Sequence, residues 1–116
     1  EDAAADRSAD IRRAAREVSR TYGAAVATQA LVTDEDGSAW RIRAGGPGLG
    51  TSGSGDVLAG AVAGLAARGA SPSAAAVWGT YLHAAAGDAL SVGRRGIGYL
   101  ARELADLFPE MIADLS

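Results

Sequence analysis

The chain has 116 residues, which fits one domain and leaves too little length for two. Its 48% hydrophobic and 22% charged residues exclude wholesale disorder, and the absence of cysteine excludes disulfide scaffolds, thiol redox chemistry and thiolate metal sites. The net charge is −3 and all 11 cations are arginine, which argues against a nucleic-acid surface and excludes mechanisms that need a P-loop or Schiff-base lysine. The 28 alanines and 16 glycines predict helices that pack closely.

Residues 6–20 have the periodicity of an amphipathic surface helix, and Ser8 is placed to cap its start. The residues before it contain neither a basic segment nor an apolar run, so no secretion signal is visible and a cytoplasmic location is expected. The first residue is not Met, which favours a fragment of a longer protein. The apolar positions of the predicted helix are Ile11, Ala14, Ala15 and Val18.

Short β-strands are predicted after this helix, with an Asp-Glu-Asp-Gly turn signal before the last of them. Alternation in the returning strand puts Trp40 and Ile42 on one face and Arg41 and Arg43 on the other, as in a half-buried hairpin. The β-type segments are residues 24–28, 30–33 and 38–43, and the turn is residues 34–37.

The least ordinary segment is residues 45–55, in which six of 11 positions are glycine. A helix is predicted directly after it, over residues 56–68, with Gly69 at its carboxyl end. Gly60 and Gly64 lie within this helix, and we expect them to allow its close approach to a sheet.

Two more helices are predicted. A Ser-Pro pair at 71–72 supplies a cap and a first-turn proline for a helix that runs to about residue 90 and is buried on several sides. Its proline and histidine favour a buried protein helix over a bilayer span. The last predicted helix covers residues 100–108 and stops before Pro109. The expected fold is therefore α/β, with short hairpin and edge strands followed by three helices.

The start of the helix at Asp56 is suited to hold a phosphate. Its first-turn backbone amides lack helical acceptors, and the preceding glycines let further amides turn toward the same point. Side chains at Gly53 and Gly55 would collide with an approaching anion. Asp56 leaves a carboxylate beside this cradle that can accept a proton from a hydroxyl attacking phosphorus.

Other interpretations of the glycine-rich segment compete. It contains a formal GxGxxG pattern at 48–53, but helices follow rather than the βαβ unit of a dinucleotide fold. A Walker loop needs a lysine, and neither Ser52 nor Ser54 has the flanking glycines of a nucleophile elbow. The simplest alternative is a mobile surface loop in which Asp56 is only the N-cap.

Two stretches together resemble a known family. Residues 48–69 read GLGTSGSGDVLAGAVAGLAARG and residues 74–90 read AAAVWGTYLHAAAGDAL. They resemble the carboxy-terminal signature of the ribokinase-like superfamily, and within it the NAD(P)H-hydrate dehydratases, often labelled carbohydrate kinases. The family's G-T-G-D loop, V-L-x-G segment and Y-L-H-x-x-A-G-D helix correspond to residues 53–56, 57–60 and 81–88, and the resemblance extends over about residues 26–107.

The resemblance implies an enzyme that dehydrates hydrated NADH or NADPH back to the intact cofactor, at the expense of ADP or ATP and with Mg²⁺ on the nucleotide. In the family scheme a hydroxyl of the hydrated ring takes the terminal phosphoryl group, and phosphate then leaves by elimination. By the same resemblance Asp56 contacts the substrate and acts as base, and Gly55 contacts the nucleotide. The amides that would stabilise the transferred group are those of Gly53, Ser54, Gly55 and Asp56.

The chain departs from the family pattern in two ways. The family's Lys-Gly pair, which contributes to nucleotide binding, is absent from the corresponding residues 26–30, where Gln29 is a candidate counterpart. The family domain is more than twice as long, so the resemblance implies that residues 1–116 are a single partial domain, the carboxy-terminal nucleotide-binding portion. Its short strands would leave an apolar sheet face uncovered, so we expect a separate amino-terminal chain or self-association to complete it.

Two other functions remain open from the sequence. One is a small-molecule kinase of the same superfamily, acting on a sugar, a hydroxymethylpyrimidine or a thiazole alcohol. The other is a non-catalytic phosphate-binding or oligomerisation fragment. Among the remaining residues, His83 is predicted to be a hydrogen-bonded packing residue, and Asp88 either a helix-end contact or a neighbour of the glycine-rich segment. Trp40 and Trp78 are predicted to be core or interface residues.

Overall fold

A computed structural model describes residues 2–28, 30–46, 49, 53–92 and 99–115. Gln29, Ser52 and the first two glycines of the GxGxxG pattern lie outside these residues. The elements are α1 (Asp2–Tyr22), β1 (Val26–Thr28), β2 (Leu31–Thr33), β3 (Ala39–Arg41), α2 (Ser54–Ala67), α3 (Pro72–Ser91), α4 (Ala101–Asp106) and α5 (Phe108–Leu115).

Helix α1 is longer than predicted, and Ser8 lies inside it rather than at its start. Ser8 is therefore not the cap, and its hydroxyl accepts a hydrogen bond from Arg41 Nη2 at 2.9 Å. The helix packs on the sheet through Ser19, whose buried hydroxyl lies 2.7 Å from that of Thr33. Val18 is 43% exposed, because α1 turns Ser19 toward the sheet instead.

The three strands form an antiparallel sheet in the order β1-β2-β3, with β2 buried along its whole length. The predicted turn before β3 is confirmed, since the Gly37 amide donates to the Asp34 carbonyl at 3.1 Å. Residues 24–33 divide into two strands around Ala30, which has a positive φ of 64°. Within the described residues β1 has a strand on one side only, so its other edge is unpaired.

Helices α2 and α3 pack closely, but not at the glycines expected from the sequence. A Cβ built at Gly60 or Gly64 would meet no described atom within 4 Å, so these residues face open space and the predicted approach to a sheet is wrong. A Cβ at Gly79 on α3 would instead lie 2.6 Å from Val62 Cγ2 and 3.1 Å from Val62 Cα. The absence of a side chain at Gly79 therefore permits the contact with α2.

Small residues make most of the buried surface of α3, which confirms burial on several sides. The two tryptophans are not core residues, because Trp40 is 38% exposed on the outer strand β3 and Trp78 is 50% exposed. Trp78 instead packs edge-to-face on Tyr81, with ring centroids 6.0 Å apart. The buried residues of α3 are Ala75, Ala76, Gly79, Thr80, Leu82, His83, Ala84, Ala86 and Gly87.

The carboxyl-terminal region contains two helices where one was predicted, so in the part of the chain that the structure describes four helices follow the sheet rather than three. The break falls at Leu107, and Pro109 lies in the first turn of α5, where its missing N–H costs nothing. A buried cluster of Ala86, Tyr99 and Leu104 joins this region to α3. None of the helices in the described ranges combines the length and apolar character needed to cross a membrane.

Candidate functional site

Helix α2 begins at Ser54, two residues earlier than predicted. Its N-cap is Gly53, which has a φ of 88° in the left-handed region that glycine adopts without strain. No side chain of the described residues caps this end of the helix. Asp56 therefore lies in the first turn, and its interpretation as the N-cap is wrong.

The first turn of α2 carries backbone amides that the described protein does not use. The first hydrogen bond of the helix runs from the Val57 amide to the Gly53 carbonyl at 3.2 Å. The amides of Ser54, Gly55 and Asp56 have no acceptor among the described residues. A Cβ at Gly55 would meet no described atom within 4 Å, so the space around this residue is open within the described chain. This arrangement suits an anion, since the amides and the helix dipole both favour negative charge.

Ser54 and Asp56 point in different directions from this turn. The Asp56 carboxylate is in a solvent-exposed residue, while Ser54 is only 3% exposed and turns inward. Ser54 Oγ lies 2.7 Å from His83 Nε2 on α3, and the same ring nitrogen lies 3.0 Å from the Ser54 carbonyl oxygen. Ser54 can therefore contact a ligand through its backbone amide, whereas its hydroxyl is committed to His83.

His83 is a hydrogen-bonded packing residue, as predicted. Burial lowers its pKa below the ordinary value of 6.5, and the hydrogen bond to the Ser54 carbonyl opposes part of that shift. The imidazole is therefore neutral near pH 7. The sequence indicated a polar partner for this histidine without identifying Ser54, which is 29 residues away.

Asp88 joins α3 to the start of the glycine-rich segment. This contact confirms the prediction that Asp88 is a neighbour of that segment. Its carboxylate Oδ2 accepts a hydrogen bond from the Gly45 amide at 3.0 Å. Nearby, a Cβ at Gly87 would lie 2.7 Å from Leu49 Cδ2 and 3.0 Å from the Tyr99 hydroxyl. Leu49 thus packs on α3 four residues after the Asp88 contact with Gly45.

Tyr99 is a buried residue of this region that sequence analysis missed. Its hydroxyl is buried without a hydrogen-bond partner in the described structure, and burial, followed by the charge of Asp88, raises its pKa. No motif or periodicity marks Tyr99 in the sequence, because its burial depends on α3 and on the cluster around Leu104.

An open apolar groove of about 530 Å³ begins beside Gly55. Leu58 and Val62 of α2 line one side. Ala27, which lies in β1, and Ala25, which directly precedes this strand, line the other. The groove therefore lies between α2 and the face of β1 that carries Ala25 and Ala27. Its lining is almost entirely small or aliphatic, which is typical of a surface that another part of a protein covers.

The structure brings the predicted residues 53–56 together within one helical turn. Gln29 lies outside the described residues, so its correspondence to the family's Lys-Gly pair remains a prediction. Within the described ranges, no group of three or more His, Asp and Glu side chains is arranged to hold a metal ion. The arrangement offers anion-binding amides with an exposed carboxylate in the same turn.

The chain is an α/β protein in which a glycine-rich segment leads into a helix whose first-turn amides have no acceptor among the described residues. The family model described as NAD(P)H-hydrate dehydratase matches residues 2–110. The chain belongs to this family.

Known relatives and structures agree with this assignment. The ADP-dependent (S)-NAD(P)H-hydrate dehydratase of Xanthomonas campestris is 49% identical over 82 residues, covering 71% of this chain and 28% of that protein. The bifunctional NAD(P)H-hydrate repair enzyme of Moorella thermoacetica is 44% identical over 80 residues, covering 69% of this chain and 15% of that protein. The ADP/ATP-dependent NAD(P)H-hydrate dehydratase of Bacillus subtilis, co-crystallised with ATP and Mg²⁺, has the same fold, with a TM-score of 0.82, 24% identity and coverage of 90% of this chain and 39% of that one. The chain thus spans well under half the length of each.

Proposed function

We propose that the chain is the nucleotide-binding, carboxy-terminal portion of an enzyme that dehydrates hydrated NADH or NADPH with ADP or ATP as phosphoryl donor. The observation that carries this proposal is the first turn of α2, where three amides without acceptors among the described residues adjoin the open space at Gly55. Family membership over residues 2–110 supplies the substrate class.

In the proposed reaction Asp56 accepts the proton of the hydroxyl on the hydrated nicotinamide ring. The hydroxyl oxygen forms a bond to the terminal phosphorus of the nucleotide, and the bond from that phosphorus to the bridging oxygen breaks, which releases AMP from ADP or ADP from ATP. The ring carbon–oxygen bond then breaks, phosphate leaves with the bonding electrons, and loss of a proton from the neighbouring carbon restores the double bond.

The amides of Gly53, Ser54, Gly55 and Asp56 are proposed to hold the phosphoryl group. Their contribution is electrostatic, because preorganised N–H groups stabilise charge on the transferred group. The open space at Gly55 fits this role, since no described atom lies within 4 Å of a Cβ built there. We assign Mg²⁺ to the nucleotide phosphates and give it no ligand among the described residues.

The same proposal includes a partner that covers the groove beside β1. The chain spans 28% of the Xanthomonas relative and 39% of the Bacillus structure, so these proteins contain much additional chain. The unpaired edge of β1 and the apolar groove next to it are suited to receive a strand and an apolar face. A separate amino-terminal half or a second copy of this chain would supply them, and a cytoplasmic location accords with a soluble dinucleotide substrate.

The test is restoration of NADH absorbance from its hydrate, with ADP or ATP and Mg²⁺, by the full chain together with any amino-terminal partner. The expected result is nucleotide-dependent recovery of absorbance with stoichiometric release of phosphate. A stable phosphoester in place of phosphate would identify a small-molecule kinase. Nucleotide binding without any product from the complete assembly would identify a non-catalytic fragment.

A further inference from the structure

Ser54 has an unusual position for the first residue of a helix. Its amide belongs to the exposed first turn, while its side chain is drawn into the interior against His83. Both oxygen atoms of Ser54 lie within hydrogen-bond distance of His83 Nε2, at 2.7 Å for the hydroxyl and 3.0 Å for the carbonyl. The histidine thus holds the residue that begins α2 at two points.

The protonation of His83 follows from this geometry. A carbonyl oxygen can only accept, so Nε2 carries the hydrogen and shares it between the carbonyl and the hydroxyl of Ser54. His83 is 7% exposed, and burial disfavours its charged form. The neutral tautomer with the hydrogen on Nε2 is therefore the form that contacts α2.

This contact replaces the usual means of holding a helix start. A Ser, Thr or Asp N-cap accepts a hydrogen bond from an amide of the first turn, and it thereby uses an amide that could bind a ligand. In this chain the cap is Gly53, which has no side chain to do so. His83 acts instead on the oxygen atoms of Ser54, so the amides of residues 54–56 stay available.

We propose that His83 is a positioning residue for the anion-binding turn of α2. By holding Ser54 against α3, it orients the first-turn amides and the Asp56 carboxylate. In this orientation they face a bound nucleoside diphosphate or triphosphate. The ligand class rests on the proposed function, whereas the positioning of the turn rests on the two contacts with Ser54.

Binding of ADP to the full chain, measured by calorimetry, tests this positioning with three variants. His83→Phe keeps a ring of similar size but removes the donor, and we expect it to weaken ADP binding at least about tenfold because the amides lose their alignment. His83→Gln carries an amide donor near the same place and should stay within about threefold of the parent. Leu82→Ala is the matched control, since Leu82 is the buried neighbour of His83 on α3 and has no contact with Ser54 among the described hydrogen bonds.

The Leu82→Ala variant should lower the melting temperature yet keep the parent affinity for ADP. Equal losses of affinity in Leu82→Ala and His83→Phe would overturn the proposal, because the effect would then follow stability alone. Parent affinity in His83→Phe would overturn it as well.

Nuclear magnetic resonance tests the positioning role of His83 in the ligand-free chain. Its outcome is therefore independent of the proposed function. The chain has one histidine, so its imidazole ¹⁵N signals are unambiguous and should show the hydrogen on Nε2. The amides of Gly55 and Asp56 should gain picosecond-to-nanosecond mobility in His83→Phe and not in His83→Gln. If the parent chain alone binds no ADP, these order parameters still decide the positioning, and the proposed function is decided separately by the complete assembly with its amino-terminal partner. Unchanged mobility in His83→Phe, or a hydrogen on Nδ1, would overturn it.

Discussion

Asp56 is an exposed carboxylate in the first turn of α2, so its chemistry can be changed without disturbing the core. Asp56→Asn keeps the size of the side chain and removes its basicity. We expect turnover of the hydrate to fall by about 10²- to 10⁴-fold, the range of a general base. The free energy of unfolding should change by no more than about 1 kcal/mol, the worth of a charge at a helix start.

The measurements are absorbance at the NADH band for turnover and urea unfolding for stability. Asp34→Asn, in the turn before β3, is the control and should leave turnover unchanged. Full activity in Asp56→Asn would exclude this residue as the base.

Gly55 offers a second test of the site at the scale of one residue. Its hypothetical Cβ meets no described atom, so Gly55→Ala should fold normally and gain up to about 1 kcal/mol of stability from the lower entropy of the unfolded chain. The added methyl group should nevertheless weaken ADP binding by about tenfold or more, because it stands where the phosphate approaches.

Gly60→Ala is the matched control for this prediction, since it adds the same methyl group to open space on the same helix. It should raise stability and leave the affinity for ADP unchanged in calorimetry. Equal ADP affinities in Gly55→Ala and the parent would remove Gly55 from the proposed site.

His83 should make stability depend on pH. Burial lowers its pKa in the folded state, so between that lowered pKa and 6.5 the unfolded chain binds a proton that the folded chain does not. Stability is therefore fully present above about pH 7 and falls as the pH drops through this interval. No other histidine contributes, because the chain has one.

Urea unfolding at several pH values between about 5 and 7.5 measures this effect against His83→Gln, which cannot titrate. The parent should lose more stability than the variant as the pH falls. Parallel pH profiles for the two proteins would contradict a buried, neutral His83.

The residues of the proposed site differ in how far the sequence could place them. The position of residues 53–56 at the start of a helix was predictable, because glycines before a helix have a local physical meaning, whereas the roles of these residues in binding and catalysis remain predictions. The contact of Ser54 with His83 joins two elements that are distant in sequence, so no local pattern contains it. The tryptophans were predicted to be core or interface residues. Their exposure excludes the core, because ring size indicates burial only on average, and an interface role remains a prediction.

At the scale of elements, the contact between α2 and α3 predicts that a Gly→Ala substitution changes the free energy of unfolding in opposite directions on the two helices. Gly79→Ala would place a methyl group 2.6 Å from Val62 Cγ2 and 3.1 Å from its backbone, and it should cost about 1–3 kcal/mol of unfolding free energy. Gly64→Ala on α2 meets open space and should stabilise by about 0.5–1 kcal/mol. Urea denaturation of both variants measures the difference, and a shared sign would contradict the packing described here.

Helix ends with a local chemical signal were predicted well. The Ser71 side chain accepts a hydrogen bond from the Ala74 amide and caps the start of α3. Gly69 follows the end of α2 with a φ of 101°, and the amides of Gly69 and Ala70 donate hydrogen bonds to carbonyls of the last turn. Pro109 misled the prediction, since a proline that cannot continue one helix is equally suited to begin another. The start of α1 was missed because the alanines at positions 3–5 favour a helix and mark no boundary in the sequence.

At the scale of the whole molecule, the groove beside β1 predicts association. Leu58→Glu would place a charge in this groove, where Leu58 is only partly buried by the described chain. We expect light scattering to show that the parent associates with itself as its concentration rises, or forms a complex with an amino-terminal half. Leu58→Glu should shift the chain to a monomer, because burying an unpaired charge is unfavourable.

Val18→Glu, on the exposed side of α1, is the control and should associate like the parent. A parent that stays monomeric at every concentration and binds no amino-terminal half would contradict a covered groove. The sequence predicted that a surface would be exposed, but its place beside β1 depends on how α2 and α3 meet the sheet.

Gly79, His83 and Gly87 follow one another at intervals of four along α3, and each meets a different part of the protein: Val62, Ser54 and Leu49. The three contacts therefore share one register. Adding a single residue to α3 between Gly79 and His83 would rotate everything beyond it by about 100° and misalign the imidazole with its serine. Surface turns can change length without disturbing these three contacts. The length of α3 between Gly79 and Gly87 cannot, because the start of α2 would then lose its orientation.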